Sequence, residues 1–127
     1  MNLYIVEDSA LIQNRLVRFV EEIPDMRIVG VAADVNTAFE GVMNTDTDAM
    51  ILDIQLGEGN GLQLLKNVKQ NKPGIKVVVL TNHSTDANRL YALRAGADGF
   101  LDKSTDFGQI PDILHRWQSS DAIHPFN

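Results

Sequence analysis

Short apolar runs alternate with longer amphipathic segments along the whole chain. The runs are rich in Val, Ile and Leu with little polar alternation, which is typical of strands buried on both faces of a parallel sheet. They predict strands at about 2–6, 26–31, 48–53, 75–80 and 98–101. In the segments between them, apolar residues recur at helical spacing. These segments predict one helix ended by Pro24 and others over about 34–44, 61–71, 84–95 and 106–118.

Five βα units in succession indicate an α/β fold. Crossovers of this length between parallel strands are right-handed in almost all proteins. A three-layer sandwich, with helices on both faces of the sheet, is therefore the predicted architecture. We expect one domain over residues 1–118, followed by a polar, irregular tail over 119–127.

Composition narrows the class of protein. Hydrophobic residues make up 44% of the chain and charged residues 22%, which is typical of a globular domain and argues against disorder. Cysteine is absent, which excludes disulfides, thiolate metal sites and a cysteine nucleophile. No apolar run approaches the roughly 18 residues of a membrane span, so no membrane insertion is expected. The first residues lack the basic region of a signal peptide, and a cytoplasmic location is expected by default.

The net charge disfavours one kind of partner. At pH 7 the formal charge is -6 and the isoelectric point is about 4.8, whereas proteins that bind nucleic acid directly usually present a basic face. We therefore expect no direct nucleic-acid binding by this chain.

Polar residues stand at the carboxyl ends of four predicted strands. They are Glu7 and Asp8, Asp53, Thr81 and Lys103. In an open parallel sheet these ends converge on one crevice, where ligands bind. Crowded carboxylates repel one another, so such a cluster usually implies a bound cation. The sequence therefore predicts a metal-assisted chemical site at this edge of the sheet.

These residue types suit phosphoryl transfer to Asp53. A strand-end aspartate can act as a nucleophile, as in enzymes that form aspartyl phosphate. Glu7 and Asp8 offer the hard oxygen ligands that Mg²⁺ prefers. Thr81 and Lys103 offer a hydroxyl donor and a cation for phosphoryl oxygens. The nucleophile, the metal ligands and the neutralising charge that this reaction requires are all present.

Taken singly, each of these residues has a plainer interpretation. Asp8 is as readily the N-cap of the next helix as a metal ligand, and Glu7 alone is commonly a solvated carboxylate. Thr81 alone is commonly a turn residue, and Lys103 alone a surface lysine. The order and spacing of the whole set favours the site.

With these residues identified, the chain resembles the receiver domain of two-component response regulators over residues 2–118. The resemblance rests on the acidic pair Glu7-Asp8, on Asp53 at the start of the segment 53–61, on Thr81, and on the segment 95–103.

The resemblance implies a flavodoxin-like, doubly wound sheet with strand order 2-1-3-4-5. It also implies phosphotransfer to Asp53 from a histidine kinase or a histidine phosphotransfer protein. Mg²⁺ would be held by Asp8, Asp53 and the backbone carbonyl of Gln55, and Glu7 would act through water.

A switch is implied as well, because Thr81 and Phe100 match the coupled switch pair of the family. On the fourth helix, Leu90, Tyr91 and Leu93 cannot all face the core. The same holds on the fifth helix for the apolar residues Ile110, Ile113, Leu114 and Trp117. An apolar patch on the fourth helix, fifth strand and fifth helix would be a surface for a partner or for a phosphorylation-linked homodimer.

The chain departs from the family pattern at several positions. Gly57 stands where proline is usual, which predicts a more mobile loop. Ser104 also replaces a usual proline, and without proline a cis bond costs about 2.5–4 kcal/mol, so the resemblance does not carry one over. Asn82 replaces a very small residue and would restrict access to the phosphoryl group. Gln55 and His83 occupy variable positions that tune phosphoryl lifetime, although His83 alone is most simply an exposed loop residue.

Two other functions fit parts of the pattern. A haloacid-dehalogenase-type phosphohydrolase also uses an Asp nucleophile with Mg²⁺, but it needs a second Asp where Gln55 stands, and cap insertions for which there is no room. A flavin-binding electron carrier needs a hydroxyl-rich phosphate loop, where Glu7-Asp8 would repel phosphate. A phosphorylation-controlled signalling switch accounts for the whole set. Such a protein is not an enzyme for another substrate, because it catalyses only its own phosphorylation and dephosphorylation.

Overall fold

A computed structural model describes the backbone of residues 1–123 and the side chains of residues 1–119. Five strands and five α-helices alternate along the chain. In order they are β1 (Asn2–Val6), α1 (Ala10–Glu21), β2 (Arg27–Ala32), α2 (Val35–Met43), β3 (Ala49–Leu52), α3 (Gly61–Asn71), β4 (Lys76–Thr81), α4 (Asp86–Arg94), β5 (Gly99–Asp102) and α5 (Ile110–Ile123). A small hairpin pairs Gln55–Leu56 with Gly59–Asn60 between β3 and α3, and a 3₁₀ turn over Phe107–Gln109 precedes α5.

The five strands form one parallel sheet in the order β2-β1-β3-β4-β5. This is the predicted 2-1-3-4-5 order, and the predicted α/β class is confirmed. Val6 pairs with Leu52 and Leu52 with Val79, while Thr81 pairs with Asp102. The carboxyl ends of the four strands therefore reach the same edge of the sheet.

Each face of the sheet carries its own hydrophobic core. On one face, Val6, Leu52 and Val79 pack with α2, α3 and α4. On the other face, Ile5 and Ile51 pack with α1 and α5. Successive side chains of a strand point to opposite faces of the sheet, and here both faces are buried. This explains why the strands lack polar alternation. Each large side chain buried in this way contributes about 1.5–3 kcal/mol.

Side-chain caps define where four helices begin. Ser9, Asp34, Asn60 and Thr85 each accept a hydrogen bond from a backbone N–H in the first turn of α1, α2, α3 and α4. Such caps satisfy N–H groups that have no partner within the helix. The predicted cap at Asp34 is confirmed. The cap of α1 is Ser9, so the interpretation of Asp8 as the N-cap is wrong.

The carboxyl end of the chain differs from the prediction. The last helix continues to Ile123, so residues 119–123 are helical rather than irregular. No glycine or proline lies between residues 117 and 123, so no residue of the segment stops the helix. The rest of the predicted tail, residues 124–127, lies outside the described residues. Within residues 1–123, no helix is long and apolar enough to cross a membrane.

Candidate functional site

The site is assembled by backbone pairing at the carboxyl ends of the strands. The Asp53 N–H donates to the Val6 carbonyl at 3.0 Å, which holds the end of β3 beside the end of β1. The Lys103 N–H donates to the Thr81 carbonyl at 3.0 Å, which holds the end of β5 beside that of β4. Residues 47 and 22 positions apart in the chain are therefore neighbours in one crevice, as the convergence of parallel strands requires.

The Lys103 ammonium lies between two carboxylates. Its Nζ is 2.6 Å from Glu7 Oε1 and 2.7 Å from Asp53 Oδ2. The three side chains are only 9%, 2% and 5% exposed, respectively. Burial by itself lowers the pKa of Lys103, but the hydrogen bonds and charges of Asp53 and Glu7 outweigh it, and the pKa is raised. Lys103 is therefore a charged, buried partner of the site and not a surface lysine.

Glu7 is the most deeply buried carboxylate of the site. Burial raises its pKa, against the opposing hydrogen bonds from Lys103 and from the Ser9 N–H, which lies 2.9 Å from Oε2. The Gln13 amide donates to the Glu7 carbonyl at 2.5 Å and fastens the start of α1 to the strand end. The interpretation of Glu7 as a solvated carboxylate is wrong, because the residue is 1% exposed.

Asp8 completes a three-carboxylate cluster with Glu7 and Asp53. One oxygen from each lies within 4.8 Å of the others, and Asp8 is the exposed member. Two ligand oxygens of one Mg²⁺ are at most about 4.2 Å apart, so the cluster needs only a small closure to hold the ion. The exposed side at Asp8 leaves room for the water molecules that Mg²⁺ keeps. The donor set therefore fits a hydrated divalent cation.

The loop that follows Asp53 is held by that residue. Asp53 Oδ1 accepts the Gln55 N–H at 2.9 Å, and the Gln55 side chain itself is exposed. At Gly61 a Cβ atom would lie 2.4 Å from the Ile54 Cα atom, so only glycine fits where α3 begins. The start of α3 is therefore packed directly against the backbone that carries Asp53.

Gly57 has a backbone conformation that proline cannot adopt. Its φ of +56° is left-handed, whereas a proline ring holds φ near -65°. A positive φ at the first residue of a two-residue hairpin loop is the pattern of a type II′ turn. The glycine thus builds a defined hairpin, and greater mobility of the loop stays a prediction.

Thr81 is completely buried at the end of β4, with its hydroxyl accepting the His83 N–H at 3.1 Å. Asn82 and His83 are exposed. Phe100 is 6% exposed and packs in the core on the α4 side, and the Arg89 guanidinium lies 4.8 Å from the centre of its ring. The structure therefore contains the inward-facing arrangement of Phe100.

Helix α4 presents apolar side chains to solvent. Leu90, Tyr91 and Leu93 are 47%, 57% and 48% exposed, as expected for residues that cannot all reach the core. The corresponding expectation for α5 is wrong. There Ile110, Ile113 and Leu114 are buried and Trp117 packs against them, because α5 lies along α1 and the sheet. Of the patch predicted on α4, β5 and α5, the exposed large apolar side chains therefore lie on α4.

No motif in the sequence assigns a role to Asp102, yet its carboxylate has more hydrogen-bond partners than any other carboxylate beside the site. It accepts hydrogen bonds from Ser84, Ser104 and Thr105. The hydroxyls of Ser104 and Ser84 are the main reason that its pKa falls from 3.8 to about 2. The signal was present as an aspartate two residues before a serine in a loop, which favours an Asx turn. The peptide bond between Lys103 and Ser104 is trans.

The fold and the strand-end cluster together define a class of protein. The chain belongs to the response regulator receiver domain family, whose model matches residues 3–115. It is thus a receiver domain of the two-component systems, as the sequence motifs predicted.

Named relatives place the chain within this family. It is 29% identical over 103 residues to the DNA-binding transcriptional activator DevR/DosR of Mycobacterium tuberculosis, covering 81% of this chain and 48% of that protein. It is 33% identical over 117 residues to a Shewanella protein-glutamate methylesterase/protein-glutamine glutaminase, covering 87% and 33%. The chain thus spans about half the length, or less, of these curated relatives.

Solved structures agree with this placement. The response regulator domain of Thermotoga maritima CheB is 28% identical, with a TM-score of 0.80 and 94% of each chain covered. The isolated receiver domain of RcsB from Salmonella enterica, solved with the phosphomimetic BeF₃⁻, shares the fold with a TM-score of 0.85 at 23% identity, over 94% of this chain and 88% of that one.

Proposed function

We propose that this chain is a phosphorylation-dependent switch that accepts a phosphoryl group on Asp53. The observation that carries the proposal is the Asp53 carboxylate, buried at the end of the central strand in contact with an ammonium and beside two further acids. A carboxylate in this setting can attack phosphorus while the charge on the transferring oxygens is neutralised around it.

The phosphodonor would be the phosphohistidine of a histidine kinase or of a histidine phosphotransfer protein. The bond between phosphorus and the imidazole nitrogen breaks as a bond forms from phosphorus to an Asp53 carboxylate oxygen. The electron pair of the broken bond stays on the imidazole nitrogen, which takes up a proton. The exposed edge at Asp8 gives a donor side chain access to Asp53, which is itself 4% exposed.

Asp8, Asp53 and the backbone carbonyl of Gln55 would hold Mg²⁺, and Glu7 would orient its water. When bound, this ion neutralises charge on the phosphoryl oxygens. Glu7 is suited to the indirect role because it is the most deeply buried of the three acids, at 1% exposed. Asp8 is exposed and so offers its oxygens directly.

Lys103 and Thr81 would receive the phosphoryl oxygens. Lys103 already contacts Asp53, so the ammonium needs only to shift its contact from the carboxylate to the new phosphoryl oxygen. The Thr81 hydroxyl would leave the His83 N–H and donate to a second oxygen. Movement of Thr81 would in turn change the setting of Phe100 and the exposed surface of α4, where a partner or a second copy would bind.

Acetyl phosphate with Mg²⁺ tests the assignment of Asp53. The wild-type protein is expected to gain one acid-stable, base-labile phosphoryl group, and the Asp53→Asn variant none, as measured by intact mass. Asp112→Asn is the matched control, because it neutralises an exposed acid in the first turn of α5. Labelling of Asp53→Asn at the wild-type rate would show that Asp53 is not the acceptor.

A second experiment separates the roles of the two neighbouring acids. Asp8→Asn is expected to abolish Mg²⁺ binding, followed by amide chemical shifts, because Asp8 is assigned as a direct ligand. Glu7→Gln should only weaken it, because Glu7 acts through water. Equal losses in the two variants would contradict this division of roles.

The structure provides no support for the alternative function of a phosphohydrolase. Its acid/base carboxyl would have to stand at position 55, where the exposed side chain is an amide. A hydrolase is therefore not proposed.

A further inference from the structure

Asp102 ends β5 immediately before Lys103 and folds back on the loop that follows. Its Oδ1 atom accepts the Ser104 N–H at 2.8 Å and the Ser104 hydroxyl at 2.5 Å. The Thr105 N–H lies 3.3 Å from the same oxygen. An aspartate that bonds the backbone two residues on forms an Asx turn, which fixes the direction of the chain at the residue between them. Here that residue is Lys103.

The other oxygen of the same carboxylate reaches a different loop. Asp102 Oδ2 accepts the hydroxyl of Ser84, in the connection between β4 and α4. That connection begins at Thr81, and Thr85 at its end caps α4. One carboxylate therefore joins the loop that carries Lys103 to the loop that follows Thr81.

The Lys103 ammonium must lie within contact distance of Asp53 to act on it. Lysine is long and flexible, so a small rotation of its backbone moves Nζ by more than the tolerance of a contact of 2.6–2.7 Å. Residue 104 is serine, so no proline ring stiffens the chain directly after Lys103. The contacts of Asp102 supply stiffness at this point instead.

We propose that Asp102 is a positioning residue that holds the Lys103 ammonium in place for phosphoryl transfer to Asp53. The inference rests on the proposed function. Asp102 would not touch the reacting atoms and would act through Lys103. Because its pKa is lowered to about 2, the carboxylate is ionised throughout the neutral range while it accepts these four hydrogen bonds.

The test compares phosphorylation rates with acetyl phosphate and Mg²⁺. Asp102→Ala is expected to lower the rate constant roughly 10-fold, less than the roughly 10²–10³-fold loss that removal of a directly contacting donor brings. Asp102→Asn keeps a carbonyl oxygen for the Asx turn and should recover most of the rate. The double variant Ser84→Ala/Ser104→Ala loses two hydroxyl donors but keeps the Asp102 carboxylate. This double variant should react several-fold more slowly than the wild type. Asp112→Ala, the control for charge, should match the wild type.

Action through Lys103 is tested by a double-mutant cycle. In a Lys103→Met background, Asp102→Ala should cause no further loss of rate, because the group that it positions is gone. Mg²⁺ affinity should not fall in Asp102→Ala, since the carboxylates that bind the ion are untouched, whereas general damage to the fold would lower it.

Two results would overturn the proposal. One is a wild-type rate in Asp102→Ala. The other is that Asp102→Ala lowers the phosphorylation rate by the same factor in the Lys103→Met background as in the wild type. Failure of the proposed function would look different, because the wild-type protein itself would then show no phosphorylation on Asp53.

Discussion

Replacing Lys103 with methionine probes the contact on which the site depends. Methionine keeps most of the side-chain length but removes the ammonium that contacts Glu7 and Asp53 at 2.6 and 2.7 Å. The two carboxylates are 2% and 5% exposed, so water cannot fully take the place of the lost cation. The variant therefore leaves two buried, like charges beside each other.

The cost follows from this burial. Removing one partner of a buried ion pair typically destabilises a protein by about 3–5 kcal/mol. Solvent reaches the exposed side of the cluster at Asp8. We therefore expect the free energy of unfolding to fall by about 3 kcal/mol, the low end of that range. For a domain of 127 residues this lowers the melting temperature by about 10 °C.

Urea denaturation in the presence of EDTA, and again with Mg²⁺, measures the effect. A cation bound at the cluster relieves the repulsion that the substitution exposes, so Mg²⁺ should stabilise Lys103→Met more than the wild type. Lys66→Met is the matched control, because Lys66 is exposed on α3, and it should change stability by no more than about 0.5 kcal/mol.

The pH dependence gives an independent check. Burial already raises the pKa of Glu7, and loss of Lys103 should raise it further. The stability difference between Lys103→Met and the wild type should therefore shrink as the pH falls and Glu7 is protonated. Two outcomes would refute the reasoning. Lys103→Met could equal the wild type in stability without metal, or Mg²⁺ could stabilise both proteins by the same amount.

Gly61→Ala should lower stability by about 1–3 kcal/mol in urea denaturation, because its Cβ would lie 2.4 Å from the Ile54 Cα atom, whereas Gly108→Ala, with nothing within 4 Å, should not. The pKa of Asp102 is lowered from 3.8 to about 2, so its contribution to stability is present above pH 3.8 and is lost as the pH falls towards 2. In an acid titration between these pH values, the wild type should therefore lose stability more steeply than Asp102→Asn. Thr81→Ala should still be phosphorylated but should lose the beryllofluoride-induced chemical-shift changes on α4, and retention of those changes would contradict a role for Thr81 in the switch.

The order of the elements and the chemistry of the site can be predicted from the amino-acid sequence. Its apolar runs predicted all five strands of the sheet because two-sided burial leaves no polar position within them. The helix over 61–71 was predicted at its observed bounds, because Gly61 and the Asn71-Lys72-Pro73 segment are local signals. Glu7, Asp53 and Lys103 could be assigned to one crevice from chain order alone, since the carboxyl ends of parallel strands must converge.

How those groups contact one another is visible only in the packed fold. Nothing local to Lys103 shows that its ammonium bridges Glu7 and Asp53, or that Glu7 is buried while Asp8 is exposed. Asp102 reaches Ser84 across 18 residues of chain, and no pattern within either segment predicts that contact. The reason is physical. Helices and strands follow from neighbours close in sequence, whereas burial, ion pairing and side-chain direction depend on groups that only the packed fold brings together.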